Sequence, residues 1–414
     1  MKLLITPKPV LRSDYSIMSY CFRYQRGEDY LADQAPSRLF DGIINLPCLT
    51  VLEDVGLDGF TNGFPLFVPL NRFTLLSDVS LQCTQPPEKV IFLLDENTTP
   101  EPMFVDCIEK LKQKGFRFAV ENIKNYDLMR PIIDLCEFIL ISFKYDSEKA
   151  MASYDNIMRR FPRHSFIASD VNTNAVFDSI RNSGFACFEG RFYNIPVTKG
   201  NTSISPVKIN RIQLINIVRQ PDFAIEEAAK VVSQDTALSI SLLKLVNSPY
   251  LGLRQKVKSI QHATAMLGQS EVRKWVTTAT TGLLAEDKPD ELTRLSLIRA
   301  KFAENLSKSF EMAIHAPGLF LMGLFSILDV VLEMPMVEAL KIISVSENIY
   351  DALIFNEGNY AMVMNFIKVY ESADWSEVNR LMTIHNLDVE KIFHAYIEAI
   401  RWYATIVSAD VSDL

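Results

Sequence analysis

Eight apolar runs of about five residues, rich in β-branched and aromatic side chains, punctuate the first half of the chain. They are Leu3–Thr6, Ile17–Tyr24, Leu66–Leu70, Val90–Leu94, Phe116–Glu121, Phe138–Ser142, Ser165–Asp170 and Phe185–Phe188. At this length and composition strands are favoured over helix fragments. Amphipathic stretches lie between them, the clearest being Met103–Lys114, which Gly115 closes. Strands alternating with helices predict a parallel sheet, and a closed, TIM-like (β/α) barrel is its natural solution. A flat doubly wound sheet is the alternative, but no glycine-rich loop follows the first strand to cradle a pyrophosphate. From Leu11 to Asp58 helical signals are sparse, so one or more barrel helices are expected to be missing or irregular.

The second half carries a different pattern. The polar, turn-rich run Asn201–Pro206 reads as a linker, giving an α/β domain over 1–200 and an all-α domain over 207–414. From Val207 onward almost every segment is helical, with Gly and Pro as punctuation, and no repeat of solenoid length recurs. Pro289–Met312 reads as one long helix and Leu319–Leu332 as a buried one. Within Asp235–Trp275, Leu238, Leu242, Leu245 and Val246 share a helical face, and Asn247-Ser248-Pro249 stops that helix. Ser259–Leu267 makes a second helix, Gly268 suits its C-terminal cap, and a third begins near Ser270.

At 414 residues the chain exceeds one compact core. Its net charge of -8 argues against broad nucleic-acid binding through phosphate neutralisation. The six cysteines form no CxxC pair and sit largely in apolar runs, which favours buried, reduced thiols over a disulfide or zinc framework. The opening apolar run is cut short by Pro7 and Pro9, and Asp329 interrupts the most apolar later window. Neither is expected to act as a signal peptide or a membrane span, so a cytoplasmic protein is expected.

The order DxxLSxxLLxxVNS, SIxxAxxxLG and VRKW over 235–275 resembles the HDOD domain, a helical signalling module related to metal-dependent HD phosphohydrolases. An active HD enzyme needs a His-Asp pair, and this chain has none. The resemblance places that pair within Gly323–Asp329, where Ser326-Ile327 stand. His262, His315, His385 and His394 are scattered and read as structural.

The segments Ala119–Asn122, Phe166–Thr173 and Gly184–Pro196 resemble the EAL domain, the cyclic di-GMP phosphodiesterase barrel. The resemblance implies that the ligand-binding positions are degenerate. The metal-binding glutamate falls on Cys21 and the downstream arginine on Gln25. The asparagine falls on Pro69, the next glutamate on Phe92, and the aspartate pair on Glu121-Asn122. The lysine and aspartate that follow fall on Leu140 and Ser142, two further glutamates on Ser169 and Asn172, and the late glutamine on Glu189. Two divalent ions need several hard oxygen ligands, and about one carboxylate, Glu121, remains for them. No replacement cluster of basic residues is evident at the strand ends, and Arg191 reads as a surface group.

Together the resemblances imply a degenerate EAL barrel followed by an HDOD bundle, without cofactor or catalysis. Such a chain is expected to act as a signalling adaptor in cyclic di-GMP, motility or biofilm networks. Its partners would be other signalling proteins such as cyclases, kinases or flagellar regulators; neither nucleic acid nor membrane is expected, and a homo-oligomer is left open. The alternatives are a cyclic di-GMP sensor without hydrolysis, or a residual phosphodiesterase.

Overall fold

A computed structural model describes residues 3–26, 47–70, 72–76, 79–95, 97–145, 147–195, 206–220, 222–247, 257 and 259–411. The chain divides into two compact units, Met1–Ile195 with Ala373–Trp375, and Pro196–Ser372 with Ser376–Leu414. Among the described residues no helix is long and apolar enough to cross a membrane.

The first unit is a closed barrel of eight strands in sequence order. They are β1 (Leu3–Leu11), β2 (Ile17–Arg26), β3 (Leu66–Pro69), β4 (Val90–Leu94), β5 (Arg117–Val120), β6 (Phe138–Ser142), β7 (Ser165–Ser169) and β8 (Cys187–Glu189). Each expected apolar run supplies one strand. The helices are α1 (Pro47–Val55), α2 (Leu57–Thr61), α3 (Arg72–Leu76), α4 (Val79–Gln82), α5 (Pro102–Gln113), α6 (Arg130–Ile133), α7 (Ser147–Arg160) and α8 (Asn174–Ile180).

The sheet is not purely parallel, as the strand–helix alternation suggested. β1 runs antiparallel to both β2 and β8, while the remaining neighbours are parallel. The reason is local. Only Arg12–Ser16 join β1 to β2, and a parallel crossover needs a dozen or more residues. The turn closes through Arg12 N donating to Ser16 O at 2.8 Å, with Tyr15 at φ 66° and Asp14 Oδ1 accepting from Ser16 N at 2.9 Å.

Side-chain alternation then fixes two layers. Cys21, Phe67, Leu93, Ala119, Leu140, Ile167 and Cys187, from β2 through β8, meet in one buried interior cluster. Their neighbours face outward onto the helices. Phe22 meets Phe60 of α2 edge-on at 5.0 Å, Phe166 meets Tyr154 of α7 at 5.3 Å, and Phe188 meets Phe177 of α8 at 5.1 Å. Burying each such ring contributes roughly 1.5–3 kcal/mol.

The second unit is helical: α9 (Pro206–Arg219), α10 (Ile225–Gln234), α11 (Thr236–Val246), α12 (Ile260–Leu284), α13 (Asp290–Leu306), α14 (Ala316–Phe325) and α15 (Leu328–Leu332) come first. Then follow α16 (Met336–Ile343), α17 (Glu347–Ile354), α18 (Gly358–Ser372), α19 (Trp375–Ile384) and α20 (Val389–Val411). α12 breaks its helical geometry at Gly268, where the sequence expected one helix to end and another to begin. Two expectations need correction. The segment Pro289–Met312 is helical only to Leu306, and the buried stretch Leu319–Leu332 is two helices, not one. Ser326 Oγ donates to Gly323 O at 2.7 Å, and this local bond competes with the helical ladder at the break.

Candidate functional site

At the barrel mouth the alternation that buries Cys21 also turns Arg23 inward, two residues further along β2. Arg23 Nη1 donates to both oxygens of Glu121, at 2.8 and 2.9 Å, and Nη2 reaches Glu189 Oε2 at 3.4 Å. Lys8 on β1 stands 3.6 Å from Glu189 Oε1. Glu121 follows β5 directly, its amide donating to Leu94 O at 2.8 Å and so extending the ladder by one residue. Glu189 ends β8 and is fully buried, whereas the Arg23 and Glu121 side chains are 20% and 15% exposed.

Gly190 sets the place of Glu189. Val171 N donates to Glu189 O at 2.9 Å, and a Cβ on Gly190 (φ 153°) would overlap the Val171 backbone. Only glycine permits that approach.

Charge holds the cluster together. Burial pushes the Glu189 carboxyl up, but Lys8, Arg23 and the Asp170 amide outweigh it and hold the group below the ordinary carboxylate value. Burial likewise opposes the charge on Arg23, and its anionic surroundings keep the guanidinium well above its ordinary value. With one Arg, one Lys and two Glu, the cluster is formally neutral.

The other expected positions do not join it. Cys21 lies in the interior cluster, and burial pushes its thiol up to about 12, so it is protonated at neutral pH. Phe92 faces outward, with Phe116 and Phe118 at 5.1 and 5.7 Å, whereas its neighbours Ile91 and Leu93 belong to the interior cluster. Pro69 ends β3 without a side-chain oxygen, Leu140 is interior, and Ser169 is buried at the end of β7. Ser142 Oγ donates to Asp170 Oδ2 at 2.7 Å. Asn122 and Asn172 are exposed in the loops, where Asn172 Oδ1 accepts from Arg191 N at 3.3 Å, and Gln25 is partly buried on β2.

These residues do not fit a pair of divalent ions. Glu121 is gripped by a guanidinium, Glu189 by two cations, and the remaining positions offer a buried thiol, a proline, apolar side chains, hydroxyls and neutral amides, two of these exposed in loops. Among the described residues no three His, Cys, Asp or Glu side chains come together to hold a metal ion. Two basic residues that the strand-end reading passed over, both inside strands and both paired with glutamate, meet here. They are Lys8 and Arg23, and the period-2 reading from Cys21 was the signal that could have found Arg23.

In the helical unit, Ser326 sits at the corner between α14 and α15. Arg299 of α13 donates to Ser326 Oγ from Nη1 at 3.1 Å. It also forks onto Glu371 of α18, from Nε to Oε1 at 2.8 Å and from Nη2 to Oε2 at 2.7 Å. Gly323 allows α14 this close, since a Cβ there would come 2.6 Å from the Arg299 carbonyl carbon. Burial raises the Asp329 carboxyl above its ordinary value, opposed by the Val330 amide.

The motif residues of 235–275 act structurally. Asp235 Oδ1 caps α11 by accepting from Leu238 N at 3.0 Å, and Ser239 Oγ donates back to Val232 O of α10 at 2.8 Å. Asn247 clamps the loop to Val257, donating to Val257 O at 2.9 Å and accepting from Val257 N at 2.7 Å. Ser248 and Pro249 lie outside the described residues, as do the side chains of 260–267. Arg273 Nε donates to Val218 O at 2.7 Å, and Trp275 stacks on Trp402 of α20 at 6.5 Å. A cavity of about 490 Å³ opens between α9, α10 and α11. Its Arg211 is tied to Asp235 at 3.3 Å and to Leu283 O at 2.7 Å.

Residues 205–340 match the HDOD domain, so the first part of the helical unit is an HDOD domain, preceded by the eight-stranded barrel. The expected order, barrel then HDOD, stands. The chain is 25% identical to the cyclic di-GMP phosphodiesterase CdgJ of Vibrio cholerae over 407 residues, 96% of this chain and 91% of the relative. It is 23% identical to the uncharacterised protein YuxH of Bacillus subtilis, over 99% of this chain and the whole of that one. Both alignments therefore span barrel and bundle. Among solved structures it is similar to BlrP1 of Klebsiella pneumoniae in a calcium and cyclic di-GMP complex, at 12% identity and a TM-score of 0.39, covering 49% of this chain. That match takes in 58% of the BlrP1 chain, less than two thirds of its length. It is also similar to a standalone EAL protein of Vibrio cholerae O395 with cyclic di-GMP bound, at 15% identity and a TM-score of 0.35, covering 49% of this chain and 96% of that one.

Proposed function

We propose that this chain is a non-catalytic signalling adaptor of cyclic di-GMP networks, acting by contact with other signalling proteins. The observation that carries this reading is Arg23, whose guanidinium lies across the Glu121 and Glu189 carboxylates at the mouth of the barrel. Cleavage of a phosphodiester by two divalent ions needs carboxylates free to bind them and to fix an attacking water. Here the carboxylates hold a cation that cannot activate water. With no chemistry left at the mouth, the remaining use of two well-packed units is recognition of partners such as cyclases, kinases or flagellar regulators.

Incubating the purified chain with cyclic di-GMP and Mg²⁺ or Mn²⁺ tests the reading. No linear dinucleotide should form, and metal-dependent turnover would overturn it. Capture from cells should return specific signalling proteins; a chain that returns none is not an adaptor.

A second reading has its own support. The relative CdgJ, aligned over 96% of this chain, is called a cyclic di-GMP phosphodiesterase. On that reading the barrel retains the dinucleotide as a ligand, with or without slow hydrolysis. Calorimetric titration of cyclic di-GMP separates the two: the adaptor reading expects no heat of binding.

A further inference from the structure

Glu121 and Glu189 are brought together from β5 and β8 by barrel closure, and each is committed to the same guanidinium. Glu189 has no exposed surface, and its Oε1 has no hydrogen-bond partner, with Lys8 Nζ standing off at 3.6 Å. A buried anion in this position must be matched by a cation, because an isolated charge is strongly disfavoured away from water. One positive group from the chain, Arg23, meets both carboxylates.

We propose that Arg23 is a resident cation, supplying from the chain the charge that these two carboxylates would otherwise draw from a bound metal ion. Its removal therefore turns the barrel mouth into a divalent-cation site. Carboxylates spaced to grip a guanidinium stand wider apart than ligands of an ion at about 2.1 Å. The incoming ion is accordingly bound directly by one carboxylate, and by the other through water or a side-chain rotation. Glu121, beyond the last residue of β5, is the side chain placed to make that movement. Such a site is weak, in the millimolar range, and prefers oxygen-seeking ions. The inference is independent of the adaptor reading, since its readout is melting temperature and not turnover or partner capture.

The test compares full-length protein with its Arg23→Ala and Arg23→Gln variants by thermal melting, with and without millimolar Mn²⁺ at matched ionic strength. Arg23→Gln keeps a side chain able to donate to one carboxylate, and so gives a folded variant if the alanine does not. The wild-type barrel transition should not move with Mn²⁺. The variants should melt several degrees lower and recover most of that loss with Mn²⁺. The double variant R23Q/E121Q should lose the recovery. The proposal is overturned if Mn²⁺ raises the wild-type transition as much as the variants', if neither variant recovers, or if recovery survives the loss of Glu121.

Discussion

The barrel mouth and the Ser326 corner of the helical unit both bury a guanidinium against carboxylate, but they surround it differently. Arg23 faces two glutamates, with Lys8 beside the second; Arg299 faces one glutamate and a serine hydroxyl. The barrel cluster draws on β1, β2, β8 and the residue after β5, the bundle cluster on α13, α18 and the corner between α14 and α15. In the bundle the guanidinium is the drier one, 6% exposed against 20% for Arg23, whereas the driest carboxylate is Glu189 of the barrel. The difference teaches what each arginine replaces. Arg23 balances two carboxylates drawn from opposite sides of the sheet closure, whereas Arg299 ties helices together through Glu371 and Ser326, with Asp329 within electrostatic reach.

The largest expected effect sits at the glycines that bring each cluster together. Gly190→Ala drives a Cβ into the Val171 backbone at φ 153° and should cost more than about 4 kcal/mol, removing the barrel transition in a melt. Gly323→Ala meets Arg299 and Ala300 backbone at 2.6–2.7 Å, and a helix can slide where a barrel cannot, so about 1–3 kcal/mol is expected. Equal losses would break the comparison.

Next comes Arg299→Met, which strands Glu371 and should lower bundle stability by about 3 kcal/mol in denaturant unfolding. Unlike the Arg23 variants, it should gain nothing from Mn²⁺, because the groups its guanidinium hydrogen-bonds, Glu371 and the Ser326 hydroxyl, are too few ligands for a hard ion. Recovery with Mn²⁺ would make the two sites alike.

Acid should separate the units further. The Glu189 carboxyl is held below its ordinary 4.5, so its contribution is fully present above that value and is lost as pH falls through the lower folded value. In the bundle Glu304 behaves the same way, burial raising it but Lys274 and Lys301 prevailing. Asp329, raised above 3.8 by burial, works in the opposite sense: its protonation favours the fold as pH falls. Circular-dichroism melts between about pH 3 and 6 should therefore show the barrel transition falling faster than the bundle's, with Glu189→Gln flattening the difference. The smallest effect is Ser326→Ala, about 1 kcal/mol by chemical unfolding, since Arg299 keeps its fork on Glu371.

Much of this architecture could be read along the chain. Each apolar run became a strand, and Leu238 and Asn247 do what their spacing suggested: a buried side chain and a helix stop. The β1–β2 hairpin was missed because strand–helix alternation says nothing of a link five residues long. The break at Ser326 was missed because an unbroken apolar run hides a serine that turns back on its own helix. Phe92 faced the other way because strand register, not residue type, decides which side chains look inward.

The core helices beyond the HDOD match carry a similar lesson. Residues 205–340 define that domain, yet Trp402 stacks on its Trp275, and Glu371 forks its Arg299. No local pattern announces such partners, which lie 127 and 72 residues away along the chain, as 402 less 275 and 371 less 299.

What the sequence determined alone was mostly short-ranged: the strand positions, most helix positions and stops, and the lack of a His-Asp pair. Only the tertiary structure decided what fills the mouth of the barrel. Arg23 meets Glu121 across 98 residues and Glu189 across 166 because the sheet closes on itself, and Coulombic attraction between groups so far apart in sequence exists only once that closure has occurred.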